Sequence, residues 1–244
     1  MKMISHPSTD FSIILPTLYE AKNIPEIIYR IHQINFSNRK FEILIVDDNS
    51  QDGTEEIVSD LQKSYPALRL IIRQGKRGLS EAVIQGLNQV IYPIIVIMDA
   101  DLSHPPEKIP DMLTALQMPQ VDLVIGSRYV SGGSSDEAWP LMRRFCSRFA
   151  ALFAKALIKA PVKDPLSGFL AFHKKTYLSG HPLQAIGWKI GLEIMVKCSC
   201  RHIVEVPIHF SERKNGMSKL NLRIVISYLK HIGHLVWFKL KFNE

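Results

Sequence analysis

No run of 18 or more uninterrupted apolar residues occurs in this 244-residue chain, so a helical membrane span is not expected. The first ten residues, MKMISHPSTD, contain no apolar run of signal-peptide length, and a cleaved secretion signal is not expected either. Cysteine is scarce. The three present, Cys146, Cys198 and Cys200, are odd in number and have no framework spacing, which argues against a disulfide scaffold and for a reducing compartment. Cys198, Cys200 and His202 lack the second ligand pair of a zinc site, so packing roles are expected for them. No G-x-G-x-x-G or G-x-x-x-x-G-K-[ST] loop follows any apolar run, which argues against the usual dinucleotide fold and the P-loop. Internal repeats and low-complexity stretches are also missing.

Hydrophobic residues make up 46% and charged residues 22%, an ordinary globular composition. Lys and Arg number 30 against 23 Asp and Glu, a formal charge of +7 that suits nucleic acid, an anionic membrane face or a phosphorylated substrate. The distribution narrows this. Residues 140–160 and 220–242 interleave basic side chains with aliphatic and aromatic ones, the pattern of amphipathic helices at a bilayer interface or packed on a core. No stripe of stacking aromatics accompanies the basic residues, and nucleic acid is not expected as a partner.

Short apolar runs at 11–15, 41–46, 68–72, 94–98 and 121–125 alternate with segments of helical spacing. Pro25 stands near one helix start, Thr54 opens a second with Glu55 and Glu56 in its first turn, and Ser80 is placed to cap a third. The alternation predicts an α/β fold with a mainly parallel sheet covered on both faces. Ligands of such sheets bind beyond the carboxyl ends of the strands. Polar clusters fall there, at 16–20, 47–52, 99–104 and 126–129. After about residue 130 the alternation weakens, and a second functional half on the same domain is expected.

Asp99-Ala100-Asp101 puts two carboxylates two residues apart directly after an apolar strand, so in extended backbone both point the same way. Such charges repel unless one is protonated or a cation bridges them. Oxygen ligands without Cys suit Mg²⁺ or Mn²⁺; the alternative is a solvated pair capping the next helix. His104, just before Pro105-Pro106, is expected to support this loop rather than to ligate. Asp47 and Asp48 read either as turn formers or, for Asp48, as an acceptor for a base or ribose. Glu193 is expected to point out into solvent rather than to face the acceptor, and Trp139 and Trp188 to be structural or rim anchors.

The motifs LPTLYEAKN, VDDNSQDGT, GKRGLSEA, DADLSHPPE, GSRYVSGG, DPLSGF and VPIHFSERKNGMSKL occur in this order. Together they resemble the family 2 GT-A glycosyltransferases of the dolichol-phosphate (polyprenol-phosphate) mannose synthase type, over roughly residues 9 to 225. The resemblance implies a GT-A fold within one domain, residues 1–244. Residues 9–130 would form the nucleotide-sugar half, 131–219 the acceptor half and 220–244 a C-terminal amphipathic interface helix. It also implies roles. Pro16, Leu18 and Glu20 match the donor-nucleotide motif, Val46 and Asp48 the base and ribose positions, and Asp99, Ala100 and Asp101 the sugar-nucleotide segment. Asp101 would be the principal ligand of Mg²⁺ or Mn²⁺, beside Asp99 and, where relatives carry Gln, Ser103. Arg128 matches an arginine near both phosphates; Arg213 and Lys219 match a basic loop over the donor diphosphate. Asp101, Arg128 and Lys219 carry the catalytic expectation, and Arg143 and Ser147 match positions associated with the lipid phosphate. Leu170 stands where many relatives have Arg.

The implied activity is inverting transfer of mannose from GDP-mannose to dolichyl or polyprenyl phosphate. UDP-glucose or another nucleotide sugar is the alternative donor, and a non-catalytic membrane-associated module a third reading. The implied setting is peripheral, on the cytoplasmic face of an anionic membrane, with room for a membrane-anchoring partner subunit.

Overall fold

The computed structural model describes residues 9–136, 152–156, 162–184, 189–212 and 222–242, the last with side chains from residue 226. Arg143, Ser147, Arg213 and Lys219 lie outside the described residues, as do Trp139, Cys146 and Trp188. The elements in order are β1 (Phe11–Thr17), α1 (Ile24–His32), β2 (Phe41–Asp47), α2 (Thr54–Gln62), β3 (Leu68–Ile72), α3 (Leu79–Gln89) and β4 (Ile94–Ile97). A 3₁₀ turn at Pro106–Lys108 leads into α4 (Ile109–Leu116), then β5 (Leu123–Ser127) and β6 (Ser134–Ser135). The remainder is β7 (Leu170–His173), α5 (Lys174–Ser179), α6 (Ile190–Lys197), β8 (Ile203–Pro207), β9 (His209–Phe210) and α7 (Leu222–Phe242).

Seven strands form one sheet in the order β3-β2-β1-β4-β7-β5-β8, with β6 and β9 paired separately. All neighbours run parallel except β7, which is antiparallel to β4 and to β5. The expected α/β class with a mainly parallel sheet is therefore the architecture observed. The apolar runs are continuous because side chains alternate between two covered faces. Ile14, Leu44, Val46, Ile95 and Ile97 pack under α3, α6 and α7. Phe11, Ile13, Ile43, Ile45 and Val96 pack on the other face under α1 and α4. Helix α3 rides so close to β1 and β2 that a Cβ on Gly86 would stand 2.8 Å from Ile14 Cγ2 and 3.3 Å from Val46 Cγ2.

Three local expectations are corrected. Ser80 does not cap α3: Gly78 occupies the cap, and Ser80 is buried in the first turn. The fifth strand is Leu123–Ser127 rather than 121–125, because Val121 N–H turns back to the Met118 carbonyl before the ladder begins. Glu193 does not point into solvent. It is 0% exposed on α6, where its carboxylate takes the Lys197 ammonium at 2.7 Å, one helical turn along. Lys197 Nζ also donates to the Pro182 carbonyl at 3.1 Å and lies 5.6 Å from the Phe238 ring of α7. His231 Nε2 of α7 is 3.6 Å from the other Glu193 oxygen. This buried polar cluster joins α6 to the C-terminal helix.

The expected amphipathic C-terminal helix is α7, 21 residues long. Ile232, Leu235 and Phe238 pack inward, while Ile226, Leu229, Trp237 and Leu240 are exposed on the opposite side beside Lys230 and Lys241. No helix among the described residues is long and apolar enough to cross a membrane.

Candidate active site

The carboxyl ends of β1, β2 and β4 lie side by side, and the polar clusters of the sequence meet at this edge. After β1 the chain turns through Tyr19 at φ 63°, and the Tyr19 N–H donates to Ser50 Oγ at 2.9 Å. Ser50 Oγ in turn donates to Asp47 Oδ2 at 2.6 Å, which also accepts Thr17 Oγ1 at 3.0 Å. Asp47 thus stitches the first two loops together, and both it and Asp48 are buried.

Asp48 Oδ1 accepts from Arg73 Nη1, and its Oδ2 accepts the Gly78 N–H at 2.7 Å. Arg77 Nε donates to the Asp48 carbonyl at 3.0 Å, its Nη1 donates to the Tyr19 hydroxyl, and its carbon lies 5.2 Å from the Tyr19 ring centroid. Of the expected nucleotide residues, Pro16 sits in β1 opposite Val46. Val46 is fully buried in the core. Leu18 is exposed, and Glu20 Oε2 accepts from Asn23 at 2.6 Å. Arg73 and Arg77 were not singled out from sequence; two basic residues flanking the strand-to-helix turn before GLSEA were the available signal.

Two strand spacings away, about 10 Å across the sheet, β4 delivers Asp99 and Asp101. Asp101 is 3% exposed, and its Oδ1 accepts both the N–H (3.0 Å) and the hydroxyl of Ser103. Ala100 is buried between the two aspartates, and Leu102 at φ 65° lets the loop wind tightly. The Ser103 hydroxyl therefore serves the carboxylate. His104 is buried and stacks on Phe169 at 5.3 Å. Its Nδ1 accepts the Asp99 N–H at 3.0 Å. Burial holds its pKa below the ordinary histidine value, against the pull of Asp99 and Asp101. A neutral imidazole that accepts a backbone N–H shapes the loop.

The segment Asp164–Phe169 closes over this pair. A Cβ on Gly168 would stand 3.6 Å from Asp99 Oδ1 and 3.5 Å from His104 Cε1. Ser167 Oγ donates to the Gly126 carbonyl at 2.7 Å. Arg128, at the end of β5, donates from Nε and Nη2 to the two oxygens of Asp164, each at 2.7 Å. Burial opposes the Arg128 charge, but the bonds and charge of Asp164 outweigh it and hold the guanidinium above its ordinary pKa. Asp164 carries no role in the sequence reading, although it opens the motif DPLSGF. Ser211 N–H donates to the Ser103 carbonyl at 3.1 Å, tying the run before residue 213 to the acidic loop.

Two carboxylates beside the Ser103 hydroxyl, with the His104 Nδ1 already taken by the Asp99 N–H, fit a hard divalent cation that keeps waters and shares substrate phosphates. Among the described residues no group of three or more His, Cys, Asp or Glu side chains is placed to hold a metal ion, so substrate oxygens and water would have to complete any coordination at the aspartate pair. The fit is therefore to Mg²⁺ or Mn²⁺ in an open site rather than to a structural zinc.

The profile of glycosyl transferase family 2 matches residues 12–178. A dolichol-phosphate mannosyltransferase of Pyrococcus furiosus is 41% identical over 92% of this chain, which spans 63% of that protein's length. Proteins of the same name from Mycosarcoma maydis and Saccharomyces cerevisiae are 39% and 36% identical, covering 93% and 97% of this chain and 79% and 91% of their own. Among solved structures, glucosyl-3-phosphoglycerate synthase from Mycobacterium tuberculosis, with Mn²⁺, UDP and glucosyl-3-phosphoglycerate, superposes at TM-score 0.67. The identity is 19%, covering 92% of this chain and 80% of the other. At that identity the likeness is one of fold.

Proposed function

This chain belongs to glycosyl transferase family 2 and is a glycosyltransferase, and from that premise we propose that it moves mannose from GDP-mannose to the phosphate of dolichol or a related polyprenol. The names of the relatives suggest the sugar and the lipid. The observation that carries the reading is the meeting of the Asp48 cluster and the Asp99–Asp101 pair at one sheet edge, spaced for the base end and the diphosphate end of one donor.

A lipid phosphate oxygen attacks the anomeric carbon of mannose, the bond from that carbon to the donor diphosphate breaks, and GDP departs with the electron pair. One in-line displacement inverts the sugar. The nucleophile needs no strong general base, because a phosphate monoester is largely ionised near neutral pH. The difficulty is repulsion: two unit charges 4 Å apart at an effective dielectric constant of 20 repel by about 4 kcal/mol. Asp99 and Asp101 would hold Mg²⁺ or Mn²⁺, which when bound offsets the charge of the leaving diphosphate. Arg128 supplies fixed donors beside that pair, and Asp48, with Arg73 and Arg77 behind it, receives the nucleoside. Arg213 and Lys219 are assigned to the donor diphosphate, and Arg143 and Ser147 to the lipid phosphate.

Purified protein with Mn²⁺ or Mg²⁺, dolichyl phosphate and labelled GDP-mannose is expected to put label in the lipid phase. UDP-glucose in the same assay is expected to put none. Label from UDP-glucose alone would reassign the donor; no label from any donor would end the proposal.

A polyprenyl acceptor requires the site to meet a bilayer, and α7 offers the surface. Its outward residues Ile226, Leu229, Trp237 and Leu240 form one stripe flanked by Lys230 and Lys241, suited to an anionic interface. The setting we assign is peripheral, on the cytoplasmic leaflet, with or without an anchoring subunit. Trp237→Glu with Leu240→Glu is expected to cut co-sedimentation with phosphatidylserine vesicles at least about tenfold, since two buried apolar side chains contribute several kcal/mol. Unchanged sedimentation would remove α7 from the interface.

A further inference from the structure

Arg128 does not stand beside the acidic pair as an independent cation. Two of its five N–H donors are fixed on Asp164, which also accepts the Arg128 main-chain N–H at 3.1 Å. The flat guanidinium lies 5.2 Å from the Phe210 ring and 5.1 Å from the Tyr129 ring. Phe210 also packs edge-on against His104 at 5.2 Å, so the same aromatic ring borders the acidic loop and the arginine. Behind Asp164 stands Glu205 of β8. Its two carboxylate oxygens accept the N–H groups of Lys163 (2.8 Å) and Asp164 (2.9 Å). Glu205 on the edge strand thus holds the main chain at residues 163 and 164, and the wholly buried Asp164 side chain in turn holds Arg128.

We propose that Asp164, backed by Glu205, is a positioning residue for the transfer: it locks the Arg128 guanidinium in one orientation so that its three remaining N–H donors meet the departing diphosphate. Paired with Asp164, Arg128 brings no net charge. Its contribution is direction, which is what a charge-developing oxygen requires from a preorganised donor. The bidentate fork is the geometry in which an arginine is most firmly held. This inference rests on the proposed function.

The test is a double-mutant cycle on the full chain with Asp164→Asn, Arg128→Ala and the pair, reading kcat, KM for the donor and Tm. Asp164→Asn keeps the size and one acceptor oxygen but releases the fork. It is expected to lower kcat about 100-fold, the scale of a misplaced catalytic group. In the Arg128→Ala background the same change is expected to lower kcat less than about twofold, because there is nothing left to position. Glu205→Gln, which leaves the fork in place but weakens its support, is expected to lose about tenfold in kcat, again only when Arg128 is present. This second variant decides the matter if Asp164→Asn fails to fold. Equal losses in the two backgrounds would make Asp164 a purely structural residue and overturn the inference, as would an Asp164→Asn enzyme within threefold of wild type. If the wild type transfers no sugar, the proposed function fails instead, and the same cycle on the Kd for Mn²⁺ with GDP or UDP still decides the positioning claim.

Discussion

Asp101→Ala is expected to abolish sugar transfer, lowering kcat by about 1,000-fold or more, since charge stabilisation of several kcal/mol by a bound cation corresponds to that factor. The buried carboxylate has two jobs. One oxygen accepts the Ser103 N–H and hydroxyl and so shapes the loop. In the proposed function the carboxylate's negative charge, together with that of Asp99, would hold the divalent cation. Asp101→Asn separates the two jobs, because an amide oxygen still accepts from Ser103 while the negative charge is gone. Its Tm is expected to stay near wild type while its activity falls with that of the alanine variant. Transfer to the lipid phase at saturating Mn²⁺, measured beside a thermal melt, checks both. An Asp101→Asn enzyme within tenfold of wild type would remove the cation from its assigned place.

The largest effect on stability is expected far from that edge, at Lys197→Met. Methionine keeps the apolar stem and most of the volume but leaves the Glu193 carboxylate buried without its ammonium. Breaking a buried pair from one side costs about 3–5 kcal/mol, or about 10 °C in Tm for a chain of this size. The sign of the pH dependence follows. In the wild type burial pushes the Glu193 pKa up, but His231, Lys197 and the Gln184 N–H outweigh it and hold the group below its ordinary value. Its contribution is therefore present above the usual carboxylate range and lost only as pH falls below it. In the variant burial prevails and the carboxyl rises, so acid relieves the uncompensated charge. His234 also borders the cluster, and its pKa is lowered by burial and by Lys197. The gap between variant and wild type in urea unfolding is expected to narrow from pH 7.5 to pH 5. A gap that widens, or one below 1 kcal/mol at neutral pH, would contradict this account.

The first four strands were legible because each is a buried apolar run with polar or proline punctuation at its end, the pattern a sheet covered on both faces imposes. Strand β7 was not. Leu170–His173 is four residues long, too short to be told from a piece of buried helix, and it sits between β4 and β5 rather than beside its sequence neighbours. Helix α6 misled for a related reason: periodicity assigns a charged residue to the surface, whereas Glu193 and Lys197 neutralise each other inside. At the site, Asp99, Asp101 and Asp48 could be read from their place after strands. The partners that fix the geometry, Arg73, Arg77 and Asp164, come from distant positions, and only folding brings them within hydrogen-bonding range.

The reversed strand has one more consequence, for synthesis on the ribosome. Residues 11–97 supply β1 to β4 and could assemble as they emerge, but the open side of β4 is closed only when residues 170–173 arrive. For those intervening residues the nascent protein carries a bare apolar ladder, a template for pairing with another chain. Because β7 runs backwards, the loop carrying Asp164 and Gly168 reaches the acidic edge just before the strand that seals the sheet. A truncated translation product ending short of residue 170 would therefore be sticky, and the ordering of the acidic edge and the protection from aggregation are completed by the same late event.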